Sequence, residues 1–69
     1  QYNNYLHQAL EKLPAKQKQA FILFSYDELP QKEIAEIMNC SLQSVEVLVF
    51  RARKSIQKYI ESIDKEIFK

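Results

Sequence analysis

The sequence predicts an all-α fold, in which four helices form a single small domain over residues 1–69. Glycine is absent and proline occurs only twice, whereas a sheet with tight hairpins normally needs Gly or Asn-Gly turns. Most of the remaining residue types are tolerated or favoured in helices. An apolar content of 46% can supply the core of a domain of this size. Since the chain lacks an initiator Met, we expect it to be a fragment of a longer protein.

The first two helices are predicted to meet at Pro14. An apolar stripe at helical spacing runs from Tyr2 to Leu13. Because the residue before a proline disfavours helix, Leu13 is the predicted end of the first helix. The second helix is expected to begin at Pro14 or Ala15 and to run to about Tyr26. Its apolar positions are Ala20, Phe21, Leu23 and Phe24, with Ile22 on a second face.

Residues 30–54 have the layout of a helix-turn-helix. The third helix is predicted over Gln31 to Met38, and Pro30 suits its first turn. Asn39 suits the left-handed residue at which a helix commonly ends. Ser41 can cap the next helix by accepting a hydrogen bond from a backbone N–H one turn in. The predicted apolar face of the third helix is formed by Ile34, Ala35, Ile37 and Met38.

The fourth helix is predicted to begin at Leu42 and meets no breaker up to Phe68. It would be about 40 Å long, which is longer than such a domain is wide, and its apolar stripe favours packing of its tail against Tyr2, Leu6 and Leu10. That stripe consists of Val45, Val49, Ala52, Ile56, Tyr59, Ile60, Ile63 and Ile67. Because the second helix of a helix-turn-helix enters the DNA major groove, the solvent side of this helix is the candidate reading face.

Composition argues against several other classes of protein. The longest apolar run, around Ala20 to Phe24, is too short to span a bilayer, and no signal peptide is visible. There is no Gly-rich phosphate loop, no nucleophile with a base partner and no Cys/His metal spacing. We therefore expect no enzyme activity, no cofactor, no metal and no small-molecule substrate. The single Cys40 is predicted to be a buried structural thiol. The presence of one lone cysteine fits a reducing, cytoplasmic setting.

The charge is nearly balanced, with a formal net value of +1. A domain that binds DNA without a partner protein usually carries a clear basic excess. Since phosphate contacts supply most non-specific binding, we expect modest DNA affinity in isolation and a role within a larger assembly. Lys16, Lys18 and Lys32 are candidate phosphate anchors, with ordinary surface lysines as the alternative.

Three short blocks of sequence, in a fixed order, carry a family resemblance. Residues 13–21, LPAKQKQAF, resemble the motif LPxKxRxxF, and residues 33–38, EIAEIM, look like EIAxxL/M. Residues 44–54 contain SVE and FRARK, which are similar to parts of TVxSxLxRARxxL. Together the blocks resemble region 4 of the bacterial sigma-70 family, and most of all its extracytoplasmic-function group. The resemblance covers roughly residues 5–60.

The resemblance implies a promoter-recognition domain. In the family, region 4 reads the promoter −35 element with the second helix of its helix-turn-helix and contacts the β-subunit flap of the RNA polymerase core. Many members of the extracytoplasmic-function group are also held by an anti-sigma factor. The DNA-contacting positions carried over to this chain are Glu46, Val47, Phe50 and Arg51, with Gln43 and Ser44 at the amino end of the helix. Lys54, on the same side of the helix, is a candidate phosphate contact.

The chemistry of these residues agrees with that role. Arg51 can bind guanine in a bidentate manner or clamp a phosphate, and Glu46 can accept from a cytosine amino group. Phe50 can press on a thymine methyl group or a sugar edge. Gln43 and Ser44 lie at the positive end of the helix, where backbone amides favour a phosphate.

Structural alternatives exist for the charged side chains. Arg51 and Arg53 can instead form salt bridges with acids such as Glu33 and Glu36, and Arg53 is expected to turn toward the first helix of the motif. Glu46 can be an ordinary solvated acid, and Phe50 can contact a protein partner.

The chain also departs from the family pattern. Many members carry a basic residue at position 46 and Arg at position 48, where this chain has Glu46 and Leu48. Leu48 is expected to join the core or a partner surface, and the base sequence that the family reads does not transfer.

Two other functions stay open: the output domain of a free-standing regulator that dimerises through its last helix, and a helical module that docks on polymerase or an anti-sigma factor. The block at Leu13 and Pro14 favours the sigma assignment.

Overall fold

The computed structural model describes the backbone of residues 2–67 and the side chains of residues 5–63. Within that part of the chain every regular element is an α-helix. The helices are α1 (Tyr2–Glu11), α2 (Ala15–Ser25), α3 (Gln31–Met38) and α4 (Leu42–Ile67). The predicted all-α fold of four helices with a long last helix is confirmed.

The first helix ends earlier than predicted. Its last α-helical residue is Glu11, whereas the prediction was Leu13. The N–H of Lys12 donates to the carbonyl of Ala9, and that of Leu13 donates to Leu10, each at 3.1 Å. Backbone bonds of this shorter span tighten the end of a helix, and they turn Leu13 into the core, where it is 8% exposed.

Prolines precede α2 and α3. Pro30 has φ −60°, and its carbonyl accepts from the N–H groups of Glu33 and Ile34 at 3.0 and 3.1 Å. The carbonyl of Pro14 accepts from Lys18 at 2.9 Å in the same way. Both helices therefore begin directly after the proline, as predicted for Pro30.

The turn between α3 and α4 has the predicted left-handed residue. Asn39 adopts φ 55° and ψ 52°. Its N–H donates to Glu36 at 3.2 Å, and the N–H of Cys40 donates to Ala35 at 2.9 Å. These two bonds form a Schellman motif, in which the residue after the left-handed one packs back on the helix. Cys40 is accordingly half-buried against the core rather than fully enclosed as expected.

The core consists of two clusters that share α2 and α4. The α1 cluster joins α1, α2 and α4 and contains Ala9, Leu10, Leu13, Phe21, Ala52 and Ile56. The turn cluster joins α2, α3 and α4 and contains Ala20, Ile34, Ala35, Val45 and Val49. The buried stripe predicted for α4 between Val45 and Ile56 is confirmed.

Packing of α4 on the first helix is also confirmed. Leu6 and Leu10 pack with Tyr59 and Ile60 of the α4 tail. The hydroxyl of Tyr59 also donates to Oε1 of Gln8 at 2.8 Å. The side chains of two other predicted partners, Tyr2 and Ile67, lie outside the described residues.

One predicted core residue of α3 is exposed. Ile37 is 55% exposed, because Ile34, Ala35 and Met38 already fill the side that faces α4 and Ile37 falls beyond its edge. Leu48 packs partly buried against the turn cluster, in agreement with its expected contribution to the core. Within the described residues, no helix is both long and apolar enough to cross a membrane.

Candidate nucleic-acid interface

The solvent side of α4 gathers the candidate DNA-contacting residues into one surface, called here the reading face. Its members are exposed and lie away from the buried stripe of Val45, Val49, Ala52 and Ile56. They are Gln43, Ser44, Glu46, Val47, Phe50, Arg51 and Lys54. Helix residues three and four positions apart are neighbours, so this group forms a continuous strip over the first half of α4.

Ser41 fixes the amino end of the reading face. Its Oγ accepts from the backbone N–H of Ser44 at 3.0 Å, as expected of a capping serine. The same hydroxyl donates its proton to Oγ of Ser44 at 2.9 Å. The hydroxyl proton of Ser44 is therefore directed elsewhere, and it can be donated to an acceptor such as a phosphate oxygen.

The centre of the reading face is apolar. Val47 is 45% exposed and Phe50 is 61% exposed. The ammonium of Lys54 lies 5.7 Å from the centroid of the Phe50 ring, within the range of a cation–π interaction. A cation thereby lies over one side of the ring, and the residue as a whole stays largely exposed.

The two arginines of α4 point in different directions. Arg51 is exposed on the reading face. The guanidinium of Arg53 lies 5.2 Å from the centroid of the Phe24 ring on α2. The expectation that Arg53 turns toward the first helix of the motif was wrong. Among the side chains of residues 5–63, neither arginine forms a salt bridge with Glu33 or Glu36.

The candidate lysines are also separated by the structure. Lys16 lines a shallow groove with Ser41, Gln43, Ser44 and Val47 at the amino end of the reading face. The other lining residues of that groove are Met38, Asn39, Cys40 and Leu48. Lys32 is exposed on α3. From the sequence, Lys16, Lys18 and Lys32 were equal candidates for a phosphate contact. The packing of α2 against α4 is what places Lys16 beside the reading face.

Lys18 is directed toward the first helix. Its Nζ donates to Oε2 of Glu11 at 2.9 Å. This hydrogen bond, and then the charge of Lys18, hold the pKa of Glu11 below its ordinary value. His7 adds a weaker contribution from 4.0 Å away. A phosphate contact by Lys18 stays a prediction, and it has to compete with this ion pair.

Other kinds of site find little support in the described residues. No three His, Cys, Asp or Glu side chains among them are grouped so that they could hold a metal ion.

A second groove lies between α2 and α4, with a volume of about 350 Å³. It is mostly apolar and is lined by Phe21, Ser25, Arg53, Ile56, Gln57, Ile60 and Glu61.

A capped helix that follows a left-handed turn and presents an exposed face defines a helix-turn-helix domain. Comparison with known proteins narrows this class: residues 3–56 match the family "Sigma-70, region 4", and the chain belongs to that family. The matched residues include all of α2 and α3 and the whole reading face.

A curated relative agrees with the family. The chain is 31% identical over 61 residues to the RNA polymerase sigma-H factor of Pseudomonas aeruginosa. The match covers 88% of this chain and 32% of that protein. The chain therefore spans about a third of the length of this relative.

Proposed function

We propose that residues 1–69 form the domain with which a sigma factor binds the −35 element of a promoter and directs RNA polymerase to it. The main support is the reading face, a strip of exposed residues on the second helix of a helix-turn-helix, in a chain that belongs to sigma-70 region 4. The buried stripe beneath it anchors α4 to α2 and α3. The exposed side is thus free to enter a major groove, which is wide enough for one α-helix.

Most residues of the reading face have a chemical role in this proposal. Arg51 binds guanine or a phosphate, and Glu46 accepts from a base amino group. Phe50 contacts the groove floor through its exposed ring. Gln43 and Ser44 bind a phosphate at the amino end of α4, where the backbone N–H groups of the first turn favour negative charge. Lys54, Lys32 and Lys16 add phosphate contacts, and Lys18 contributes less because Glu11 already holds it.

The proposed partners are the RNA polymerase core, through its β-subunit flap, and an anti-sigma factor. The near-balanced charge supports this part of the proposal, since a net charge of +1 provides little attraction to DNA without help. We assign the chain to the extracytoplasmic-function group on its sequence blocks, and to the cytoplasm because the polymerase and its promoters are there.

A second candidate function is a helical interaction module that binds only proteins. The groove between α2 and α4 favours it, because its lining is largely apolar and open at the surface. Such grooves are common places for a partner helix. Binding to polymerase core without binding to any promoter DNA at low salt would favour this module over the promoter-reading domain.

The proposal is tested with Phe50→Ala and Arg51→Ala in run-off transcription, using polymerase core and the sigma factor that carries this chain. Each variant should lower promoter-directed transcription about 5- to 150-fold, the loss that corresponds to one base contact of about 1–3 kcal/mol. Both residues are exposed, so the fold should be retained by circular dichroism.

Ile37→Ala is the matched control, because Ile37 is also exposed and apolar but lies on α3 outside the reading face. It should leave transcription unchanged. Wild-type transcription by both folded α4 variants would show that the reading face has been assigned to the wrong surface.

A further inference from the structure

We infer that the groove between α2 and α4 is a binding site for a small amphipathic carboxylic acid, a molecule with one carboxylate and an apolar tail. The groove shares no residue with the reading face, so the inference goes beyond the proposed function and does not rest on it. The acid is bound as a ligand and is not a substrate.

The size and lining of the groove suit such a molecule. Its volume is about 350 Å³, and sites for small ligands usually have about 300–1,000 Å³ and a mostly apolar lining with few polar groups. Phe21, Ile56 and Ile60 supply the apolar floor. Ile60 is only partly buried by its packing on the α1 cluster, so part of its surface is available to a ligand.

Arg53 gives the groove a cation that has no acidic partner. Its guanidinium lies 5.2 Å from the centroid of the Phe24 ring, and among the side chains of residues 5–63 it forms no salt bridge. Stacking on an aromatic ring leaves the N–H donors at the edge of a guanidinium free to bind. A carboxylate matches that edge, because its two oxygens can accept two parallel hydrogen bonds.

The other polar groups of the groove set the orientation of the ligand. Ser25 directly follows Phe24 on α2, so its hydroxyl is a second donor near Arg53. Glu61 lies two turns beyond Arg53 along α4, about 12 Å away, and accepts a hydrogen bond from Gln57 at 3.2 Å. The carboxylate of the ligand therefore lies at the Arg53 end, and its tail runs along the apolar floor toward Glu61.

Charge complementarity selects an acid from the other possible occupants. A wholly apolar molecule would leave Arg53 without a partner, and an amphipathic amine would be repelled by it. Because the second candidate function places a partner helix in the same groove, a bound acid would also compete with that helix. The site would then regulate the protein contacts of the domain.

Binding is tested by titrating the 69-residue chain with octanoate and recording two-dimensional proton–nitrogen NMR spectra. The backbone amide signals of the groove-lining residues should shift with a Kd of about 1–10 mM, the affinity expected for a ligand of this size in an open groove. Octylammonium has the same tail and the opposite charge. It should bind about fivefold more weakly, the effect of one exposed charge pair.

Variants connect this preference to Arg53. Arg53→Gln should weaken octanoate binding about three- to fivefold and abolish the preference over octylammonium, whereas Arg53→Lys should keep part of it. Gln57→Glu supplies Arg53 with a carboxylate one turn away, and it should also weaken octanoate binding. Because Gln57 is exposed, this variant should fold even if the Arg53 variants do not. Lys58→Gln removes an exposed cation of α4 outside the groove and should leave binding unchanged.

Three results would overturn the inference: no shift of the groove amides at octanoate concentrations well above the expected Kd, equal binding of the two probes, or octanoate binding that folded Arg53→Gln and Gln57→Glu leave unchanged. Circular dichroism establishes folding in each variant. The promoter-reading proposal fails separately, because the residues that test it, Phe50 and Arg51, do not line this groove.

Discussion

Asn39 sets the direction of α4 relative to α3 through a backbone conformation that few residues adopt. Its φ of 55° lies in the left-handed region. For most residues with a Cβ, this backbone conformation is less stable than the right-handed one by roughly 1–2 kcal/mol. Asn is among the residues that tolerate it best, because its short side chain can bond locally. The bonds from Asn39 and Cys40 back to α3 depend on this conformation. The placement of the reading face thus depends partly on one residue of the turn.

Substitution of Asn39 tests this dependence. Asn39→Ala should lower the free energy of unfolding by about 1 kcal/mol, because alanine has a Cβ and no side-chain amide. Asn39→Gly should be close to neutral, since glycine enters the left-handed region freely. Urea denaturation followed by circular dichroism measures both values. Equal losses in the two variants would mean that the side chain of Asn39, and not its backbone conformation, stabilises the turn.

At the scale of elements, α4 runs through both core clusters. Its first half meets α2 and α3 in the turn cluster through Val45 and Val49. Further along, Ala52 and Ile56 meet α1 and α2 in the α1 cluster. Since α2 also contributes to both, through Ala20 and Phe21, the clusters should unfold together. This coupling helps to keep the reading face rigid, because α1 packs on the later part of α4 and α4 carries that face.

Three isoleucine-to-alanine variants test the coupling. Ile34 is 0% exposed in the turn cluster and Ile56 is 7% exposed in the α1 cluster, so each substitution should cost about 2–4 kcal/mol. That is a large part of the roughly 3–10 kcal/mol expected for a domain of this size. Ile37→Ala, at 55% exposure, should change stability by less than about 0.5 kcal/mol.

Thermal unfolding followed by circular dichroism at 222 nm and by tyrosine fluorescence gives the readout. Both core variants should shift a single transition that the two probes report at the same temperature. A second transition that moves in Ile56→Ala but not in Ile34→Ala would show that α1 unfolds independently of the helix-turn-helix.

The same elements show how far sequence alone can go. The stripe of α4 was predictable because a 26-residue helix repeats its apolar positions over many turns. The eight residues of α3 are too few to show where its apolar face ends. Ile37, at the edge of that face, was therefore wrongly predicted to be buried. The contact of Arg53 with Phe24 could not be predicted, because it depends on the angle at which α2 crosses α4. The reading face follows from the same long periodicity, and its function stays a prediction.

At the scale of the whole molecule, charge is distributed so that a nearly neutral chain gathers three cations and one carboxylate, Glu46, at or beside one face. The net charge is +1, but Lys16, Lys54 and Arg51 all lie at or beside the reading face. Lys18, by contrast, is paired with Glu11. Four candidate phosphate contacts, counting Lys32, would give log K a slope of about −4 against log salt concentration. Binding should therefore weaken steeply with salt despite the small net charge.

Lys16 and Lys18 offer a matched test of this distribution, since both are lysines of α2 that lie two residues apart. Lys16→Gln should reduce the magnitude of the salt slope by about 1, the signature of one lost phosphate contact. Lys18→Gln should leave the slope nearly unchanged, because the ammonium that it removes is already neutralised by Glu11 at 2.9 Å. Anisotropy titrations of both variants on one promoter duplex, at several salt concentrations, measure the slopes directly. If Lys18→Gln alone flattened the slope, Lys18 would have to leave Glu11 on binding, and DNA would have to approach α2 from the side of α1.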